Sequence, residues 1–297
     1  MIAALSPGIS SRLIMWKGSQ DFVSWLCIIS PLLGLGHIRL HNRDGVSYLQ
    51  EMLPVDCLFL DPARRDGHGG KTVAISDCEP DVTVLEPLLV DKAKKVMVKL
   101  SPMLDLSLAL NELKTVRAVH IVAVNNECKE LLLILQKESV SSEVSIHCEH
   151  IAGNGESRHY TFTLKREKTS PCLLADEVGT YLYEPNAAIL KAGAFRSLTQ
   201  TYPVAKLHLN SHLYTSVSLV PDFPGRRFRV EAVSGFGKKE LKAFLMDMDK
   251  ANITIRNFPL SVAELRKRLK LKEGGDDYIF ATTLSGGQKV LIRGKKC

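Results

Sequence analysis

Asp61 is the first residue with the type and position to do chemistry. It follows the unbroken apolar run Cys57-Leu58-Phe59-Leu60 and precedes Pro62-Ala63-Arg64-Arg65. Such a run predicts a strand buried on both faces, the kind found inside a parallel sheet. Pro62 cannot continue a central strand. The Asp61 carboxylate therefore stands at the carboxyl end of the strand, the edge where open α/β sheets bind ligands. Gly67, Gly69 and Gly70 follow and let the chain turn freely above it. A carboxylate in that place either serves a ligand or caps the loop that follows. A second group is basic. Gly235-Phe236-Gly237-Lys238-Lys239 offers backbone amides and two lysines at a helix start, which suits a phosphate; a turn with no ligand is the equal alternative. The helix opening at Ser261-Val262-Ala263-Glu264 has a capping pattern and carries Arg266, Lys267, Arg268, Lys270 and Lys272 on one side. His208 and His212 have the i, i+4 spacing of metal ligands. No acid or third ligand is near them, so packing or a loop is the stronger reading and no metal is expected.

The elements that must hold these residues alternate. Residues 37–40 predict a short strand, ended by Asn42-Arg43-Asp44-Gly45, with Asp44 as N-cap of a helix over 46–52. The strand over 57–60 comes next, then a short helix over 81–89 and a strand over 95–100 ending at Ser101-Pro102. Residues 104–113 read as a helix, 118–124 as a buried strand and 127–136 as a helix; 145–148 and 160–164 read as a closing hairpin. Strands alternating with helices predict a parallel α/β sheet. Residues 168–176 read as a linker, and Glu184-Pro185-Asn186 caps a helix running to about 195. After Pro221, Pro224 and Gly225 comes a small α+β unit. It has strands over 228–233, 253–256, 278–283 and 289–293 and helices over 239–247 and from 261.

On these residues a resemblance rests. The strand ending in Asp61-Pro62-Ala63-Arg64 resembles the catalytic loop of class I S-adenosylmethionine (SAM) dependent methyltransferases. The chain from Pro31 onward resembles a bacterial, Bacteroidetes-type family of them with a THUMP-like domain at the C-terminus. The resemblance implies an incomplete Rossmann-like methyltransferase sheet followed by small ferredoxin-like and THUMP-like modules. The expected division is an atypical segment over 1–30, a partial methyltransferase domain over 31–168, a ferredoxin-like connecting segment over 169–225 and a basic THUMP-like domain over 226–297. The resemblance further implies SAM as cofactor, with Asp44 and Gly45 on its adenine side. Asp61 and the Pro62 carbonyl would accept hydrogen bonds from the amine to be methylated. Arg64 departs from the aromatic residue that clamps a flipped base in the amino-methyltransferases, which puts an adenine-amine target in doubt. The THUMP-like module implies RNA, tRNA or rRNA, met by Lys238, Lys239, Arg266, Lys267, Arg268 and Lys270.

Composition fits this. The chain has 297 residues, long enough for more than one domain, and is 45% hydrophobic and 24% charged. Residues 226–297 hold 17 Lys or Arg against 8 Asp or Glu, a net charge of +9, while the remainder nets −2. A neutral body with a basic tail domain points to a polyanion. Seven cysteines in scattered positions support neither a disulfide framework nor zinc, and suggest a reduced, cytoplasmic setting. The apolar stretch over 22–36 is too short for a membrane span and is broken by Pro31, and no cleavage site follows it.

Residues 1–30 carry no glycine-rich turn and no ribose-binding acid of the expected kind. Read two nucleotides later, the codons of Met15, Trp16 and Lys17 force Val and Glu, a strand end with an acid. The segment is therefore expected to be an out-of-frame stretch, and the chain to bind SAM poorly or act as a non-catalytic RNA-binding remnant. The sheet edges at Leu40 and over 58–60 should then be exposed unless the first thirty residues cover them.

Overall fold

The computed structural model describes residues 2–6, 9–15, 39–64, 74–137 and 143–297. The chain forms two compact units, residues 1–157 and 158–297. The fold is mixed α/β.

In the first unit the strands are β1 (Ile2–Ser6), β2 (Ile9–Met15), β3 (Arg39–Asn42), β4 (Val55–Leu60), β5 (Ala63–Arg64), β6 (Cys78–Glu79), β7 (Ala93–Leu100), β8 (Val116–Val124), β9 (Glu127–Leu135) and β10 (Ser145–Ile151); β11 (Ser157–Thr163) begins at the unit's last residue and belongs otherwise to the second. The helices are α1 (Gly45–Glu51), α2 (Val82–Lys92) and α3 (Leu106–Glu112). Each helix starts where the sequence placed a carboxylate. Asp44, Asp81 and Asp105 accept from the backbone N–H groups of Ser47, Thr83 and Leu108, satisfying donors that no helical carbonyl can reach.

The main sheet runs β11-β10-β8-β9-β7-β4-β1-β2-β3. It is mixed, not parallel. β10 with β8, β4 with β7 and β2 with β3 are parallel; β1 is antiparallel to β2 and β4, and β9 to β7 and β8. The stretch over 127–136, expected to be a helix, is the strand β9. Asn125 and Asn126 hold φ of 51° and 63°, the left-handed pair that a two-residue hairpin turn requires. The turn folds β9 back on β8, and the sheet pairing outweighs the local helical preference of its Glu and Leu residues. β1 and β2 lie between β4 and β3, so they cover the edges expected to be open. The out-of-frame reading rests mainly on residues 16–30, which lie outside the described residues.

β4 is not buried on both faces. Leu58 and Leu60 are fully buried, as are Val96, Val98, Val119 and Ile121 on neighbouring strands. Cys57 and Phe59 on the other face are half-buried, with Met97 opposite Phe59 on β7; on β8 and β10 the rings of His120 and His147 stack, 4.5 Å apart. α2 lies against β7. Its buried Glu86 accepts from Lys114 N, Thr115 N and Thr115 Oγ1 at 2.8, 2.6 and 2.7 Å, tying the helix to the turn before β8.

The second unit adds α4 (Leu164–Thr169), β12 (Tyr181–Pro185), α5 (Ala187–Ala192), α6 (Leu198–Thr201), β13 (Ala205–Lys206), β14 (Tyr214–Ser216), β15 (Gly225–Ser234), α7 (Lys238–Phe244), β16 (Asn252–Arg256), α8 (Val262–Leu269), β17 (Asp277–Thr283) and β18 (Lys289–Lys296). Its sheet runs β13-β14-β12-β15-β18-β17-β16. Alternation along β17 serves two cores. Phe280 packs with Leu182, Phe228 and Ile292, while Ile279 and Ala281 pack with Leu291 and with Phe244 and Leu265 of α7 and α8. Residues 203–213 are not a helix. His208 bonds Asn210 N and Asn257, and His212 stacks on Phe195 at 3.6 Å. β12 meets β15 at Gly225, where a methyl group would stand 2.1 Å from the Glu184 carbonyl oxygen, so no other residue fits. Glu184 itself is 2% exposed and takes Arg226 Nε at 2.8 Å on one oxygen and Arg256 Nη2 at 2.8 Å on the other. Among the described residues no helix is long and apolar enough to cross a membrane.

Candidate functional site

β2, β3, β4 and β7 all point the same way, so their carboxyl ends share one edge of the sheet. Asp44 follows β3 on that edge and Asp61 follows β4. Three strand spacings separate β3 from β4, about 14 Å along the sheet.

Asp61 does not stand alone. Leu60 lies opposite Val98 in the parallel register, which brings the next residues, Asp61 and Lys99, side by side. Lys99 Nζ is 3.1 Å from Asp61 Oδ2 and 3.7 Å from Glu130 Oε2 on β9. The Asp61 and Lys99 side chains are each 32% exposed. Burial pulls the ammonium's pKa down, but the hydrogen bond and charge of Asp61, and then those of Glu130, outweigh it and leave it raised. Lys99 and Glu130 were not picked out from the sequence.

The loop after Asp61 is anchored. Pro62 is buried, and Ala63 and Arg64 pair as β5 with Glu79 and Cys78 of β6. The Arg64 side chain, like Arg65 and the glycines at 67, 69 and 70, lies outside the described residues.

At the place expected to hold adenine, Asp44 Oδ1 accepts from Ser47 N at 2.8 Å and Ser47 Oγ at 2.7 Å, and Gly45 is buried at the start of α1. The carboxylate remains exposed on the site edge. Between Asp44 and Asp61 that edge carries the start of β1 and the end of β2, because β1 enters antiparallel. Asp44 and Asp61 thus stand at the two ends of that stretch of edge. The glycine turn and ribose acid expected between them concern residues that lie largely outside the described set.

The basic residues divide by their surroundings. Lys238 and Lys239 are exposed in the first turn of α7. Glu240 follows them, and its carboxylate folds back against Gly235 and Gly237, 2.6 Å from where a Gly235 methyl would stand. The Glu240 carboxylate thus occupies the space beside the turn, and the phosphate reading of Gly235 to Lys239 rests on its two exposed lysines. Asp176, Glu177 and Glu240 line a groove of about 740 Å³, so a polyanion is kept off that side of the module. On α8 the capping box of Ser261 and Glu264 is complete. Arg266 donates to the Ala251 carbonyl at 3.1 Å and is half-buried, so it braces the fold. Lys267, Arg268 and Lys270 are exposed. Among the described residues no group of three or more His, Cys, Asp or Glu could hold a metal.

Residues 181–224 match a ferredoxin-like domain family and residues 225–296 a THUMP domain-like family. The chain is similar to a crystal structure of a "putative methyltransferase" from Porphyromonas gingivalis W83, with 34% identity and a TM-score of 0.86. The match covers 96% of this chain and 72% of that one. No curated protein matches the chain.

Proposed function

This chain belongs to the same family as the Porphyromonas gingivalis protein, and from that premise we propose that it is a SAM-dependent methyltransferase of the cytoplasm that modifies RNA, of the tRNA or rRNA class. Residues 31–168 form the methyl-transfer domain, 169–225 the ferredoxin-like connection and 226–297 the RNA module. The observation that carries the reading is Asp61 at the carboxyl end of β4, paired with Lys99 and on the same edge as Asp44.

SAM supplies an electrophilic methyl group. The protein's part is to align a nucleophile with it, and alignment counts for more than a strong base. Asp61 accepts a hydrogen bond from an N–H of the target amine and the Pro62 carbonyl accepts a second. Lys99 holds the Asp61 carboxylate in place. Asp44 accepts from the adenine amine of the cofactor. Lys238, Lys239, Lys267 and Lys270 hold the RNA backbone.

The antiparallel entry of β1 favours a second reading. It brings the beginning of a strand, not a strand-to-helix turn, to the edge between Asp44 and Asp61. A chain so built can keep the RNA module and not transfer methyl groups. Incubating the full chain with tritiated SAM and total tRNA or rRNA decides between them, with titration calorimetry for SAM beside it. Incorporation that Asp61→Asn abolishes supports the enzyme. RNA binding with neither incorporation nor SAM binding supports the remnant.

A further inference from the structure

We propose that Arg268, held over Phe236, is the seat for one unpaired base, so that the C-terminal module takes a single-stranded or looped segment of RNA in preference to a blunt duplex. The proposal rests on the RNA reading above and adds the form of RNA recognised.

The Arg268 guanidinium carbon sits 5.3 Å from the centroid of the Phe236 ring. Phe236 in turn stacks on Phe258, with centroids 5.2 Å apart and planes at 28°. Both rings are half-buried against the core that α7 and α8 cover. They form a fixed support, while Arg268 is exposed. An exposed arginine ordinarily forfeits its rotamer freedom when it binds; here the contact with the Phe236 ring already restricts it. Among the described residues Arg268 has no carboxylate partner. Its nearest acid on α8, Glu264, is engaged by Ser261 N and Oγ. Glu240 folds onto Gly235 and Gly237.

An exposed guanidinium held over an aromatic ring is a stacking surface for a splayed-out base. In a blunt duplex every base is already stacked and none reaches it. The phosphates beside such a base have their own cations. Lys267 adjoins Arg268 in the chain, and Lys238 follows Phe236 by two residues.

The test is fluorescence anisotropy on the full chain with a labelled oligoadenylate and a blunt duplex of the same length. Arg268→Lys keeps the charge and loses the plane. We expect it to weaken oligoadenylate binding on the order of 10-fold and leave the duplex affinity and the salt slope unchanged. Phe236→Leu, checked for an unchanged melting temperature, should give the same selective loss. Lys238→Ala with Lys239→Ala should weaken both probes and flatten both slopes. If Arg268→Lys binds both probes as the wild type does, or weakens both equally, the stacking seat is refuted while the RNA reading stands. If the wild-type chain binds neither probe, the RNA reading fails and the proposal with it.

Discussion

Replacing Lys99 by methionine asks whether the cation beside Asp61 matters to the reaction. Methionine keeps most of the stem and removes the charge. Lys99 bridges Asp61 at 3.1 Å and Glu130 at 3.7 Å. Without it two carboxylates face each other at about 7 Å or less, where unit charges repel by about 2 kcal/mol at an effective dielectric of about 20 and about 0.6 kcal/mol in bulk water. With Asp61 at 32% exposure the repulsion falls between these, about 1 kcal/mol. The charge-assisted hydrogen bond lost from Asp61 adds about 1 kcal/mol more after discounting for solvent. Together they make about 2 kcal/mol, or about 30-fold in kcat/KM if Asp61 works in the transition state. The assay is transfer of tritium from SAM to RNA by Lys99→Met, with Lys99→Arg expected to recover most of the loss. The Lys99 pKa is raised, so its contribution is complete below the unfolded lysine value of about 10.4 and is lost only as pH climbs through the folded value. The ratio of wild-type to Lys99→Met rates should therefore be flat through neutral and mildly alkaline pH. A variant as active as the wild type would refute the argument, and so would a ratio that changes steeply near neutrality.

Three further outcomes are expected. Asp61→Asn should lower methyl transfer by about 10²- to 10³-fold with an unchanged melting temperature, as for the loss of one group acting in the transition state; a rate within a few fold of wild type removes Asp61 from the site. Glu184→Ala leaves Arg226 and Arg256 without their shared carboxylate, but both are about a third exposed and can rehydrate. The cost should be about 2 kcal/mol, less than for a fully buried pair, and a melting temperature lowered by about 4–8 °C; no shift would mean the bridge is not formed in solution. Burial, then the charges of Lys206 and Arg256, push the His212 pKa down to about 4. The unfolded chain takes up that proton below about pH 6.5 and the folded chain does not, so stability is lost as pH falls from there toward 4. His212→Phe keeps a ring against Phe195 and should flatten the melting temperature over that window; parallel curves would rule His212 out.

The sequence and the structure part company where a local pattern has two solutions. Glu127 to Leu135 contains good helix formers, and its apolar run Leu131 to Leu135 suits a buried helix as well as a strand. What settles it is Asn125-Asn126, since asparagine tolerates the left-handed conformation that a tight hairpin needs at both central positions. Ser6-Pro7-Gly8 between two apolar stretches is a turn signal of the same kind, and β1 and β2 flank it. The N-caps Asp44 and Ser261 were legible because a cap is a contact between neighbours in the chain. Lys99 was not, because its meaning depends on register. Parallel strands so far apart in sequence show no pairing in their own letters; an apolar run ending in Asp and another ending in Lys-Leu-Ser-Pro read as unrelated strand ends. Once Leu60 lies opposite Val98, the next residue of each strand is fixed, and the carboxylate and the ammonium meet. A one-residue slip in that register would turn Lys99 to the other face and leave Asp61 without it.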